Sequence, residues 1–221
     1  MTVCTLDPAR LPSTMTLSNG NNTWTSNDAA GATSCFGTLG FLAGSGGKPS
    51  NLYLYFEGTL TTLPGGSTFG PGIGIANSNA LDSQYLGQTG SGIGYYLKNG
   101  DVLIATSHVA TYYLLAQGAT VGVAVDFPDQ KVWFTKDGLT WNNDILANQN
   151  PATGVGGAPL TNQIFAPSGI YSTVYPSFGD GDAIGTAMTA NFGATKFAYA
   201  LPAGYLPWGL SPTQGMFLLA G

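Results

Sequence analysis

The stretch ATVGVAVDFPDQKVWFTKDGLTW, residues 119–141, has the most informative residue pattern in the sequence. In its first half, valines alternate with small or polar residues, which is the period of a strand with one face of large side chains. A turn of composition Phe-Pro-Asp-Gln follows, and alternation then resumes with Trp133 facing away from Val132 and Phe134. Asp137-Gly138 supplies the positive φ of a tight turn. The stretch therefore predicts two antiparallel strands.

This hairpin resembles the centre of a SPRY domain, a concanavalin-like β-sandwich module. The family has a Gly-Val-Ala-apolar-Asp strand there, then a turn and an apolar-aromatic-Phe strand. Further segments resemble other parts of the family in the family's own order: residues 53–57, 72–77, 85–87, 94–96, 174–177 and 189–193. The resemblance covers most of residues 5–208. It implies an all-β fold, an antiparallel concanavalin-like sandwich of jelly-roll type with short terminal extensions.

Strand alternation is widespread along the chain, whereas helical periodicity is nearly absent. We predict strands over 15–17, 23–26, 34–39, 51–63, 72–77, 94–98, 102–106, 120–127, 131–136, 170–178 and 185–192. The longest loop candidates are 43–50 and 148–161. Residues 1–209 are predicted to form one SPRY-like sandwich domain.

An apolar tail, residues 210–221, follows the predicted domain. Its apolar side chains are Met216, Phe217, Leu218 and Leu219. We interpret the tail as a docking segment for a neighbouring subunit, and the alternative is that it packs on its own sandwich.

The composition restricts the possible partners. Only 8% of the 221 residues are charged, the net charge is −5, and Arg10 is the only arginine. Because phosphate-backbone binding needs several Lys or Arg side chains on one face, nucleic acid is not an expected partner. No apolar run approaches the roughly 20 residues of a membrane span. We therefore expect neither a nucleic-acid partner nor a membrane span.

The sequence is poor in groups that could catalyse. Glu57 is the only glutamate and His108 the only histidine, so neither a pair of catalytic glutamates nor a second histidine is available. Asp180-Gly181-Asp182 is interpreted as a turn rather than a calcium loop, which needs six to eight oxygen ligands. We predict no enzyme, no catalytic residue, no metal and no cofactor. A glycoside hydrolase of the same fold remains the enzymatic alternative.

Two cysteines, Cys4 and Cys35, are compatible with a disulfide or with two buried thiols. We favour buried thiols, because the sequence does not place their Cα atoms within bonding distance.

Aromatic and amide residues near predicted strand ends mark the expected ligand site. SPRY domains bind partners through loops at one end of the sandwich, and the resemblance places that role here by loop position. Tyr and Trp offer a large apolar area with a polar group, and amides add hydrogen bonds. The predicted ligand-binding residues are Tyr112, Tyr113, Trp141, Asn142, Asn143 and Asp144. Tyr112 and Trp141 have a second interpretation, as residues at the edge of the core.

Two segments resemble, more narrowly, the SPRY-like domains of bacteriophage virion proteins: residues 17–21 and 197–205. This implies a non-enzymatic virion protein, such as a decoration protein, fibre or tail-tip adhesin, located on the particle surface. Its expected partners are other virion subunits, as a homo-oligomer, and a protein or glycan of the host cell surface. The N-terminus shows no secretory signal, which fits synthesis in the host cytoplasm. A lectin-like carbohydrate-binding module is the alternative.

Overall fold

A computed structural model describes residues 3–29, 33–42, 52–160, 164, 172–180 and 182–209. These residues form two short 3-10 helices, Pro8–Arg10 and Pro151–Thr153, and fifteen strands. The strands are β1 (Met15–Ser18), β2 (Thr23–Ser26), β3 (Ser34–Phe36), β4 (Phe41–Leu42), β5 (Tyr53–Thr62), β6 (Gly72–Asn77), β7 (Gly92–Tyr96), β8 (Asp101–Ile104), β9 (Ser107–Thr111), β10 (Thr120–Asp126), β11 (Lys131–Thr135), β12 (Ala158–Pro159), β13 (Thr173–Gly179), β14 (Ala187–Asn191) and β15 (Leu206–Pro207). Residues 210–221, with the docking segment predicted for Met216–Leu219, lie outside the described residues.

The described strands form two sheets. Seven strands of the eight-stranded sheet have the order β1-β2-β14-β5-β10-β11-β12. The eighth, β15, pairs in parallel with β5 on the same edge of β5 as β14. The seven-stranded sheet has the order β3-β13-β6-β7-β8-β9, and β4 also pairs with β13. Every pairing except that of β15 is antiparallel. This confirms the predicted all-β antiparallel sandwich. No helix in the described ranges is long and apolar enough to cross a membrane.

The main core lies between the two sheets. In the hairpin of β10 and β11, Val123 pairs with Phe134, and Val123 also pairs with Phe56 of β5. These side chains are buried with residues from the opposite sheet, including Ile73 and Phe178. The valine alternation that predicts β10 thus reflects one face turned into the sandwich.

A second, aromatic cluster covers part of the outer face of the eight-stranded sheet. Trp133 is fully buried there, on the face opposite Phe134, as its position in the alternation predicts. It belongs to a cluster with Tyr55, Trp141, Phe197 and Tyr205. The segment between β14 and β15 therefore folds back over this sheet.

Glu57 holds that covering segment in place. Its carboxylate accepts hydrogen bonds from the Tyr55 hydroxyl at 2.8 Å and from the backbone N–H groups of Ala198 and Tyr199 at 2.8 and 2.9 Å. The side chain is 2% exposed. Glu57 is therefore a structural carboxylate.

Both cysteines are buried free thiols. Burial raises the pKa of the Cys4 thiol to about 11 and also raises that of Cys35. Because the thiolate is the reactive form, neither cysteine is an activated nucleophile.

Asp180 is a buried carboxyl whose environment favours its protonated form. One oxygen, Oδ2, accepts from Ser26 at 3.0 Å and Thr33 at 3.3 Å, while Oδ1 has no hydrogen-bond partner among the described residues. Burial raises the pKa of Asp180 to about 7, the two hydroxyls oppose this, and the charges of Asp28 and Asp182 add to it. The unfolded carboxyl, with a pKa of 3.8, ionises first as the pH rises.

We therefore expect Asp180 to reduce the stability of the fold progressively between pH 3.8 and about 7. In Asp180→Asn this contribution disappears, so the variant should gain stability relative to the natural protein over that interval. Thermal unfolding of both proteins across the interval measures the difference. A stability difference between the two proteins that stays the same at every pH would show that Asp180 does not titrate in this range.

Candidate functional site

A groove of about 710 Å³ runs between the β9 edge of one sheet and the segment that follows β11 of the other. Its first wall comes from β8, β9, the turn between them and Tyr112, which follows β9. Its second wall comes from residues 142–159. We call it the edge groove. Its lining residues are Ile104, Ala105, Ser107, Val109, Ala110 and Tyr112 on one wall, and Asn142, Gln149, Gly157, Ala158 and Pro159 on the other.

Strand β9 ends the order of the seven-stranded sheet and pairs only with β8 among the described strands. Its sequence, SHVAT, contains neither lysine nor proline, the residues that commonly protect sheet edges. Val109 is 49% exposed. One β-bulge interrupts the pairing of β8 with β9. The register shifts between Val102 and Leu103 of β8, opposite Val109 of β9. Among the described strands, the outer edge of β9 is therefore not paired with a further strand.

The second wall is held together by hydrogen bonds of two side-chain amides, Asn142 and Gln149. Asn142 adopts a left-handed φ of 49° and its Oδ1 accepts from the Phe134 N–H at 2.9 Å. Its Nδ2 donates to Gln149 Oε1 at 3.0 Å, and that oxygen also accepts from the Gly157 N–H at 2.8 Å. Trp133 Nε1 donates to the Val155 carbonyl at 3.1 Å. This wall is consequently preformed in the absence of a ligand.

Tyr112 contributes an aromatic surface to the groove. Its ring contacts Tyr95 and Phe134, with centroids 5.7 and 6.1 Å apart. Burial raises the pKa of Tyr112 to about 12, so the neutral phenol is present at physiological pH. Tyr112 joins the main core to the groove and offers one polar group to a ligand.

The structure brings two of the six predicted ligand residues together across the groove, Tyr112 and Asn142. Trp141 lies instead in the aromatic cluster, 3% exposed. Tyr113 is half-buried, with its hydroxyl 2.8 Å from Thr140 Oγ1 and its ring 4.0 Å from Lys136 Nζ. Trp141 and Tyr113 therefore face other parts of the sandwich.

The remaining two predicted residues lie on the loop after Trp141. Asn143 is exposed. Asp144 is half-buried, and its carboxylate accepts from the Ile145 N–H at 2.7 Å and from Asn148 Nδ2 at 3.1 Å. Ligand contact by any of the six residues stays a prediction, but the burial of Trp141 and Asn142 gives both a structural role in addition.

Sequence reasoning missed the β9 wall. We predicted a strand over 102–106 and none over 107–111, whereas the structure has β8, a tight turn and then β9. Ala105 and Thr106 occupy this turn with φ of 52° and 62°, values that alanine and threonine rarely adopt. The sequence carries no turn residue there, so the hairpin gave no signal. His108 lies exposed on β9, with Nε2 3.2 Å from Asp101 Oδ1 and 2.9 Å from Thr111 Oγ1.

The carboxylate of Asp182 is used in hydrogen bonds within the fold. Asp182 accepts hydrogen bonds from Ser67 Oγ at 2.5 Å and the Thr68 N–H at 2.6 Å. Within the described ranges, no three His, Cys, Asp or Glu side chains come together in a way that could hold a metal ion.

Comparison with known proteins gives structural matches only. No protein-family model matches the sequence, and a search of curated proteins found no match. The SPRY domain of human HERC1 has a TM-score of 0.57 with 14% identity, covering 86% of this chain and 99% of that one. The TRIM65 PSpry domain has a TM-score of 0.53 with 12% identity, covering 85% and 91%. A human SPRY domain has a TM-score of 0.50 with 11% identity, covering 83% and 98%. The chain therefore has the fold of a SPRY domain.

Proposed function

We propose that this chain is a non-enzymatic interaction domain that binds an extended protein segment at the edge groove. The observation that carries the proposal is an apolar groove lying directly beside the open edge of β9. Extended segments add to such edges through main-chain hydrogen bonds, and their side chains enter adjacent pockets. The SPRY fold, as an architecture for interaction modules, is consistent with this mode.

The structural commitments of Glu57 and His108 are consistent with a binding role. Glu57 accepts three hydrogen bonds under the covering segment. His108 is exposed on an edge strand, and its side-chain contacts in the described part of the chain are with Asp101 and Thr111. General acid-base chemistry needs a group held within reach of a reacting atom in a suitable protonation state. We therefore expect no hydrolysis of polysaccharide or peptide substrates.

The occupant that we propose is residues 210–221 of a neighbouring copy of the chain. This segment, LSPTQGMFLLAG, has no charged residue and four consecutive large apolar residues, Met216–Leu219. Burying three such side chains contributes roughly 1.5–3 kcal/mol each, and a strand of about five residues suffices to pair with an edge. Trp208, which shortly precedes the segment, is fully buried in the main core.

The assembly that we propose is a bacteriophage virion, in which the chain is a decoration protein, fibre or tail-tip adhesin. Support comes from the resemblance of residues 17–21 and 197–205 to phage virion domains and from the low content of charged residues, 8%. Mass spectrometry of particles purified from a lysed culture that expresses the gene tests this part. Particles that lack the chain would contradict it.

Light scattering on the full chain tests the groove contact. We expect the natural protein to form oligomers, and both Val109→Lys and deletion of residues 210–221 to produce monomers, because a lysine at a sheet edge opposes strand addition. Ile184→Lys is the matched control: Ile184 is 64% exposed and lies outside the groove, so this variant should remain oligomeric. A monomeric natural protein, or an oligomeric Val109→Lys variant, would refute the contact.

A further inference from the structure

The outer face of the eight-stranded sheet is divided into two halves of different chemistry. One half, around Trp133, is covered by the aromatic cluster. The other half is formed by β1, β2, β14, part of β5 and the start of β10; it carries hydroxyl side chains, and the aromatic cluster does not cover it. Glu57 lies at the boundary, where it holds the edge of the covering segment.

The hydroxyl side chains of the open half form one row across five strands. The register places Ser18 opposite Thr23, Thr23 opposite Thr189, Thr189 opposite Thr59, and Thr59 opposite Thr120. Two pairs in this row, Thr23 with Thr189 and Thr59 with Thr120, are hydrogen-bonded at 2.8 Å. Since adjacent strands lie about 4.8 Å apart, the row extends over about 19 Å. We call it the hydroxyl row.

A cleft of about 370 Å³ lies over the middle of the hydroxyl row. Its polar lining consists of Asn19, Asn22, Thr59, Thr189, Asn191, Thr195 and Lys196, together with the committed carboxylate of Glu57. We call it the hydroxyl cleft. It is separate from the edge groove, because it lies over β5, β14 and the β1–β2 turn, whereas the groove follows β9 and β12.

Both walls of the hydroxyl cleft are fixed by internal hydrogen bonds. On one side is the β1–β2 turn, where Asn22 Nδ2 donates to the Asn19 carbonyl at 3.2 Å. On the other side, Asn191 Nδ2 donates to the carbonyls of Thr195 and Lys196 at 3.3 and 3.2 Å. A ligand would thus enter a preorganised site and would not have to order its walls.

The chemistry of the cleft points to an uncharged ligand rich in hydroxyl groups. Threonine hydroxyls and asparagine amides offer both donors and acceptors. The only charged groups in the lining are Glu57, whose oxygens are already hydrogen-bonded, and the exposed Lys196 at the rim. The volume falls within the range of small-ligand pockets.

We propose that the hydroxyl cleft binds a neutral oligosaccharide laid along the hydroxyl row. Sugar hydroxyls, which both donate and accept, replace water on Thr59 and Thr189, and the amide of Asn22 binds a further hydroxyl from the β1–β2 turn. This site rests on the hydroxyl row and the cleft, and is independent of the edge groove.

A printed array of neutral tri- to hexasaccharides built from glucose, galactose, mannose and N-acetylglucosamine tests the proposal on the full chain. We expect the natural protein to bind at least one member. The double variant Thr59→Val, Thr189→Val keeps the β-branched shape and removes two hydroxyls, so its affinity for that member should fall about tenfold or more. Thr25→Val is the matched control, because Thr25 is a residue of β2 outside the cleft, and it should bind normally.

Amide chemical-shift mapping on the natural protein gives a second readout that needs no variant. Shifts confined to Thr59, Thr189 and the 191–196 segment on adding the bound array member support the site. No binding to any array member, equal binding by the double variant and the natural protein, or shifts confined to the edge groove would each overturn the proposal.

Discussion

Replacing Trp133 by alanine is expected to lower the free energy of unfolding by about 3–5 kcal/mol. The side chain is 0% exposed and packs in the aromatic cluster with Tyr55 and Trp141. Its Nε1 also donates to the Val155 carbonyl at 3.1 Å. The truncation therefore opens a large cavity and removes one buried hydrogen bond that supports the second wall of the edge groove.

Denaturant unfolding of Trp133→Ala measures this loss, with Leu139→Ala as the control. Leu139 belongs to the turn that follows the same hairpin and is 70% exposed, so its truncation should change stability by less than about 0.5 kcal/mol. Equal unfolding midpoints for the two variants would show that the tryptophan does not occupy the position described.

Glu57→Gln is expected to destabilise the fold by roughly 1–3 kcal/mol. The glutamine carbonyl can replace one carboxylate oxygen, but its NH₂ group then opposes a backbone N–H, of Ala198 or of Tyr199. One donor at this edge of the covering segment thereby loses its acceptor. Thermal unfolding of the variant measures the loss, and an unchanged midpoint would argue against the carboxylate as the anchor of the segment.

The same variant also separates a structural from a catalytic role for Glu57. We expect neither the natural protein nor Glu57→Gln to release product from polysaccharide or peptide substrates. Turnover by the natural protein that disappears in Glu57→Gln, while the fold persists, would make this residue catalytic and would contradict the proposed function.

Much of the fold could be predicted because its strands keep one large apolar face toward a common core. The bounds of β2 and β6 agree with those expected from the sequence, and β10 and β11 each differ by one residue at one end. Each of these strands lies between two neighbours in its sheet, so alternation and burial reinforce each other. The outward position of Trp133 was also predictable, because alternation assigns a face to every residue of a strand.

Peripheral strands could not be predicted in the same way. β4, β12 and β15 have two residues each, too few to show a period. β9 has five, but four of them are exposed and none is fully buried, so it lacks the apolar face that marks a strand. The pairing partners of such short segments come from the rest of the sandwich and not from their own residues.

The candidate site was only partly predictable for a related reason. Tyr and Trp near strand ends predict an exposed rim, yet Trp141 enters the aromatic cluster because residues far along the chain, Phe197 and Tyr205, fold back to cover it. Asn142 similarly becomes buried because its amide binds Phe134 and Gln149. The cluster around Trp141 joins residues that are distant in sequence, whereas the partners of Asn142 lie seven and eight residues away. Strand alternation reports neither kind of contact.

Amide hydrogen exchange along β9 shows whether residues 210–221 dock at the edge groove. Ser107–Thr111 end a sheet in the described chain, and the backbone groups on the outer side of an edge strand exchange rapidly unless a further strand pairs with them. We expect slow exchange at these outer amides in the full chain and fast exchange after residues 210–221 are deleted. Equal exchange rates on β9 in the two proteins, with the fold intact in both, would contradict docking at the edge groove.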